Sequence, residues 1–331
     1  MSAIVLSLAS LATVFLTSTA FAVGFEVPLK EGDTLLLKGF EAQVQITAQP
    51  GANGLKIFGP EQNQKEGAYV IEKKGHQIEI HINEYENKKE WTTLIPKAST
   101  QMRKIEISGP PIPVEVHLFG GSVTSTRWSK EMKVSLTTGR FLSTGGSGSL
   151  QVYLQKGDIT VTDHNGKVVA DSYAGNMTLK NIQGDVEASL FSGLLQIEKA
   201  HGFLTLSTQQ ATGKLSQSSG SVQFENGKGN LNIQTFQGRI EGQSNDGNVT
   251  VAMGADSEVD IKAKAGRINV HAPPNSGASV NLQTVDGDIF VPTELRVNVL
   301  SSEKNVRGRL HGEAQGGSIV VRNQEGSIVV K

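Results

Sequence analysis

A glycine returns every nine residues between Gly121 and Gly247, and that metre constrains the fold more than any other feature of the chain. Read in steps of nine, the position holds Gly121, Lys130, Gly139, Gly148, Gly157, Gly166, Gly175, Gly184, Gly193, Gly202, Ala211, Gly220, Gly229, Gly238 and Gly247. Lys130 and Ala211 alone interrupt it. Apolar residues stand two and four places after most of these positions, as in Leu150/Val152, Ile159/Val161, Met177/Leu179, Leu204/Leu206, Leu231/Ile233 and Val249/Val251. Between them lie mostly polar residues such as Gln151, Thr160, Gln196, Thr205 and Gln223. Alternation with period two marks a strand with one face inside and one in water. Each nine-residue unit therefore reads as a half-buried strand plus a turn that needs the backbone freedom of glycine.

A strand that buries one face needs a lid, and successive units supply it by coiling. The expected fold is all-β: a parallel β-helix, or β-solenoid, of Gly-x-apolar-x-apolar rungs with an irregular β cap at its N-terminal end. Grouping the units by three stacks Leu150 on Met177, Leu204 and Leu231, and meshes this bulky column with a smaller one holding Ala188, Gly213 and Gly242. Grouping by two also makes a bulky face, but Gly213 interrupts it. Three strands per coil is the favoured arrangement and two the alternative. Tyr173, Ile182, Phe191 and Phe236 are expected to fill the corners.

Around the array the chain divides into four parts. Residues 1–22 are apolar and end in Ala20-Phe21-Ala22, the small-x-small pattern of a signal-peptidase site, although no Lys or Arg precedes the apolar run. Residues 23–119 read as short irregular strands capping the solenoid, with Glu84–Arg103 as a loop or excursion. Residues 120–291 carry the array. Residues 292–331 hold an irregular piece and a last pair of Gly-Ser-Ile-Val-Val phrases at Gly317 and Gly326. An export signal would place the mature chain in the periplasm, at the cell surface or outside the cell, with no transmembrane segment after the signal.

The run Lys104-Ile105-Glu106-Ile107-Ser108-Gly109-Pro110, followed by Val114-Glu115-Val116, Gly121-Ser122-Val123 and the glycine-spaced rungs, resembles a bacterial family of β-strand-repeat envelope proteins labelled as adhesins. The resemblance covers the chain from about residue 25 onward. It implies a β-helix outside the cytoplasm with an adhesive or scaffolding role, and it brings no catalytic residues.

The side-chain chemistry agrees with a binding role. A net charge of −1 leaves no basic field for nucleic acid or an anionic membrane. The absence of cysteine removes disulfides, thiolate metal sites and a cysteine nucleophile. Gly-Asp occurs at Gly157, Gly184 and Gly287 without the tandem glycines of calcium-binding nonapeptides. Asp158, Asp185 and Glu187 are lone acids, and the seven histidines have no metal-ligand spacing. No catalytic, cofactor or metal residues are assigned. Two outward positions, Leu194 and Phe203, are apolar among polar neighbours, with Val169 a weaker third; together they form a candidate surface-binding patch. The expected function is a non-enzymatic exported adhesin or envelope scaffold whose outer faces bind a surface, a glycan or a protein. A carbohydrate-active enzyme on the same fold and a stress-related sensor of amphiphiles are the alternatives.

Overall fold

The computed structural model describes residues 23–59, 69–82, 103–274, 276–301, 303–310 and 316–331. The export signal of residues 1–22 and nearly all of the Glu84–Arg103 segment lie outside them. Among the described residues every regular element is a β-strand, and no helix is long and apolar enough to cross a membrane.

The strands pair in parallel at an offset of 18 residues. Leu150 lies beside Val168 and Ile159 beside Met177; Val168 then lies beside Val186 and Met177 beside Leu195. The expectation of three strands per coil is thereby corrected: a coil closes after two nine-residue units and has two walls. The first wall stacks Met132, Leu150 and Val168, and continues through Val222, Ile240 and Val259. The second stacks Phe141, Ile159, Met177, Leu195, Gly213, Leu231 and Val249. Gly213 does not break this column, because Leu231 of the next coil leans into its place. A Cβ at Gly213 would meet Leu231 Cδ1 at 2.7 Å. In the first wall Gly242 is filled in the same way by the ring of Phe224. Large and small side chains mesh between adjacent coils, which a close-packed interior requires.

The single glycine period of the sequence splits into two columns, one at each edge of the flattened coil. Gly139, Gly157, Gly175 and Gly193 stack at one edge with φ between 122° and 140°, and a Cβ on any of them would overlap the preceding glycine's carbonyl oxygen. Close approach and a backbone closed to L side chains both demand glycine here. A third column takes the left-handed conformation without glycine: Asp163, Asn181, Lys199, Gln217 and Thr235, all with φ between 50° and 56°. Of the residues expected in the corners, Ile182 and Phe236 are fully buried, whereas Tyr173 is 59 % exposed and stacks outside on Phe191 at 4.7 Å. Ser172 points inward, so strand alternation turns Tyr173 outward.

Both ends of the stack depart from chain order. Thr34–Ala48 pairs with Val114–Thr126 on one side and with Gln77–Ile82 and Arg103–Gly109 on the other. Antiparallel strands finish this end: Tyr69–Lys74 on Gln77–Ile82, Gly54–Gly59 on Arg103–Gly109, and Val23–Pro28 outermost. At the opposite end Ser318–Asn323 is inserted between Glu258–Ala263 and Ser279–Thr284. In the second wall Ile328–Val330 lies likewise between Ile268–His271 and Ile289–Phe290. The two Gly-Ser-Ile-Val-Val phrases are the two walls of this one inserted coil.

Candidate functional site

In a two-walled coil, residues nine apart face opposite ways. Leu194 is half-buried on the second wall, beside Asn176 and Thr212. Phe203 projects from the first wall next to Ser221 and is 46 % exposed. Val169, half-buried between Gln151 and Glu187, shares the first wall with Phe203. The structure thus sets Phe203 and Val169 on one surface and Leu194 on the other.

The first wall also carries an open depression of about 290 Å³ over four successive coils. Its floor is the backbone around Leu206, Phe224 and Gly242. Gly242 has no side chain, and the ring of Phe224 fills the inward place that a Cβ would take. Two outward columns line the hollow: Thr205, Gln223, Glu241 and Asp260 in one, Ser207, Glu225, Gln243 and Lys262 in the other. Neighbours in a column are about 4.8 Å apart. Phe203 occupies the outward position just before Thr205 on the same strand, one column outside the hollow. Its backbone N–H donates to Asp185 Oδ1 at 3.1 Å, which ties this part of the strand to the coil before it.

Charges around the hollow are largely matched. Arg239 donates to Glu241 at 3.2 Å and Arg322 to Asp260 at 3.4 Å. These exposed pairs orient side chains and add little stability. Sequence reasoning did not find this hollow. Its outward Thr, Gln and Glu look like any solvated strand face, so no local signal marks it.

The lone acids stay apart. Asp158 accepts from Arg140 at 3.4 Å and from Asn176 at 3.1 Å, Asp185 caps Phe203, and Glu187 lies 3.8 Å from Lys167. Among the described residues one group, Glu72, Glu79 and His81 in the N-terminal cap, could offer three ligand atoms to a cation. Lys74 Nζ already lies 2.8 Å from both carboxylates, so an ammonium group occupies the place a metal would take. The glutamates lower their pKa values and Lys74 raises its own through these bonds. Asp33, buried beneath the same hairpin, bonds to Lys73 at 2.7 Å, to the backbone N–H of Lys30 and to His76. The Lys73 hydrogen bond foremost brings its pKa down to about 2. His164 is buried in the array, with Nε2 donating to the Gly148 carbonyl at 3.0 Å and Nδ1 without a partner. Burial pushes its pKa down.

Fold and surface together define a capped two-walled β-solenoid with polar outer faces. The chain belongs to the family Toastrack DUF4097, whose model matches residues 62–331. No curated protein matches it. Among solved structures it is similar to a candidate cell adhesion protein from Clostridium sporogenes at 11 % identity, covering 94 % of this chain and 99 % of the other, with a TM-score of 0.19. A candidate adhesin from Bacteroides fragilis is 13 % identical over 94 % of this chain and 97 % of its own, with a TM-score of 0.28. A candidate adhesin from Parabacteroides distasonis is 10 % identical over 77 % and 98 %, with a TM-score of 0.44. The fold assignment rests on the strand pairing and on the family match rather than on these superpositions.

Proposed function

We propose that this protein is an exported, non-enzymatic β-solenoid that binds a surface partner through its outer faces, in the manner of an adhesin or envelope scaffold. The observation that carries the reading is the outer face of the first wall, where hydrogen-bonding side chains repeat coil after coil beside an exposed aromatic ring. A regular wall of this kind binds through many weak contacts that act together. The adhesin names borne by the structures above agree with it, as does the small-x-small sequence at Ala20-Phe21-Ala22, which would direct the chain out of the cytoplasm. Leu194 on one wall, and Phe203 with Val169 on the other, are separate contact points rather than one patch.

The test is a binding screen of the purified chain against whole cells, matrix proteins and glycans, with mass spectrometry of the exported protein alongside. Saturable binding to at least one surface and a mature chain beginning at Val23 are expected. A chain that binds none of them, or that is exported with Met1 attached, would overturn the corresponding part of the reading.

A further inference from the structure

We propose that the depression on the first wall is a binding site for an uncharged oligosaccharide, with Phe203 as the stacking platform beside it. The proposal rests on the adhesin-like reading above and narrows its partner to one chemistry.

A sugar hydroxyl both donates and accepts hydrogen bonds, and the hollow offers both in repeating steps. The carboxamides of Gln223 and Gln243 supply donors and acceptors, Thr205 and Ser207 add hydroxyls, and the exposed Glu225 carboxylate accepts. Repetition at about 4.8 Å along two columns suits a chain of similar units laid across the strands better than a single compact molecule.

Charge decides which glycans fit. Glu241 and Asp260 are matched by Arg239 and Arg322. Arg239 is shared with Glu258 at 3.7 Å, and the ammonium of Lys262 offsets Glu225 in the hollow's lining, so one carboxylate is left over. With no positive excess the hollow has no field to draw in a uronate, and a single exposed carboxylate screened by salt pulls weakly on an amine, so uncharged sugars are favoured. Phe203 supplies the apolar contact: an exposed ring one column beside the polar groove can pack against the C–H face of a pyranose that extends past Thr205. A protein partner fits less well, because the centre of a protein interface is depleted of charged residues and this hollow is lined by Glu225, Glu241, Asp260 and Lys262.

The experiment is calorimetric titration of the purified chain with uncharged oligomers of glucose, mannose and N-acetylglucosamine, and with oligogalacturonate as the acidic counterpart. The variants are Phe203→Ser, the double change Gln223→Ala with Gln243→Ala, and Leu194→Ser as a control on the opposite wall; circular dichroism melting checks that each folds. At least one uncharged oligomer is expected to bind, with little change in affinity when salt is raised roughly tenfold. Both sets of groove changes should weaken that binding by about tenfold or more, and Leu194→Ser should leave it unaltered. Binding of oligogalacturonate alone, binding of no uncharged oligomer, or groove variants that bind like the unmodified chain would each overturn the proposal. Whole-cell binding separates the two levels. If the chain binds cells but no uncharged glycan, the sugar site is wrong and the adhesin-like reading stands. If it binds neither, both fall.

Discussion

Gly175 stacks on Gly157 one coil earlier, so closely that a Cβ added to Gly175 would overlap the Gly157 carbonyl oxygen. Two constraints meet at this position: backbone contact and a φ of 138°. Gly175→Ala should therefore cost several kcal/mol, in the range reserved for disrupted cores and strained backbones. Gly51→Ala separates the constraints, since Gly51 has a φ of 88° and nothing within 4 Å of an added Cβ. That change should cost about 1–2 kcal/mol, the strain of a left-handed backbone alone. Denaturant unfolding measures both, and equal losses would mean that stacking is not what demands glycine in the column.

The inward and outward faces differ in what they tolerate. Leu204 is fully buried, while its neighbour Thr205 is half-exposed at the edge of the hollow. Leu204→Asp buries an unpaired charge and should cost several kcal/mol, whereas Thr205→Asp should stay within about 0.5 kcal/mol. Similar losses from the two would contradict the alternation.

Acid should loosen the protein in two separate steps. His164 has its pKa lowered in the fold, so below pH 6.5, its ordinary value, the unfolded chain takes up the proton first and stability falls. His164→Leu should flatten this part of the stability–pH curve. Asp33 acts lower down: its folded pKa of about 2 lies below the ordinary 3.8, so its contribution is present above 3.8 and is lost as pH falls towards 2. Asp33→Asn should shrink that second step, to which Glu72 and Glu79 also contribute, and leave the first. Thermal melts across pH resolve them, and a single unchanged transition in both variants would refute the assignment.

The inserted coil at the C-terminal end should act as a keystone. Ser318–Asn323 pairs on both sides, with Glu258–Ala263 and with Ser279–Thr284. Deleting residues 318–331 removes one partner of each strand, leaving 258–263 paired only with Arg239–Ser244 and 279–284 only with 304–309, and uncovers the apolar column beneath. Hydrogen exchange should then show lost protection at 258–263 and 279–284, while 150–190, several coils away, keeps its protection because each coil contacts mainly its neighbours. Unchanged protection at 258–263 would show that the insertion is not needed there.

Much of this architecture was legible in the chain because its signals are local. In-out alternation at Leu204, Thr205 and Leu206 depends only on neighbouring residues and appears in the structure as read. Gly157, Gly175, Gly193 and Gly202, expected in turns between short strands, instead lie within continuous longer strands that bend at a positive φ. The number of strands per coil is not local. Nine-residue units with the same alternation close equally well after two or three, and in the sequence Gly213 argues against two. Only the packed core shows Leu231 filling its place.

The sequence by itself determined that this chain is a glycine-spaced β-repeat with an apolar inside and a polar outside, since backbone freedom and side-chain periodicity are written residue by residue. The tertiary structure alone decided how the repeats meet. Closure after 18 residues sends Leu194 and Phe203 to opposite walls, pairs the chain's last strands between two earlier ones, and lines up Thr205, Gln223, Glu241 and Asp260 of four coils along one hollow. Each of these depends on contacts between residues a coil or more apart, where the free energy of meshing side chains rather than any local preference selects the partner.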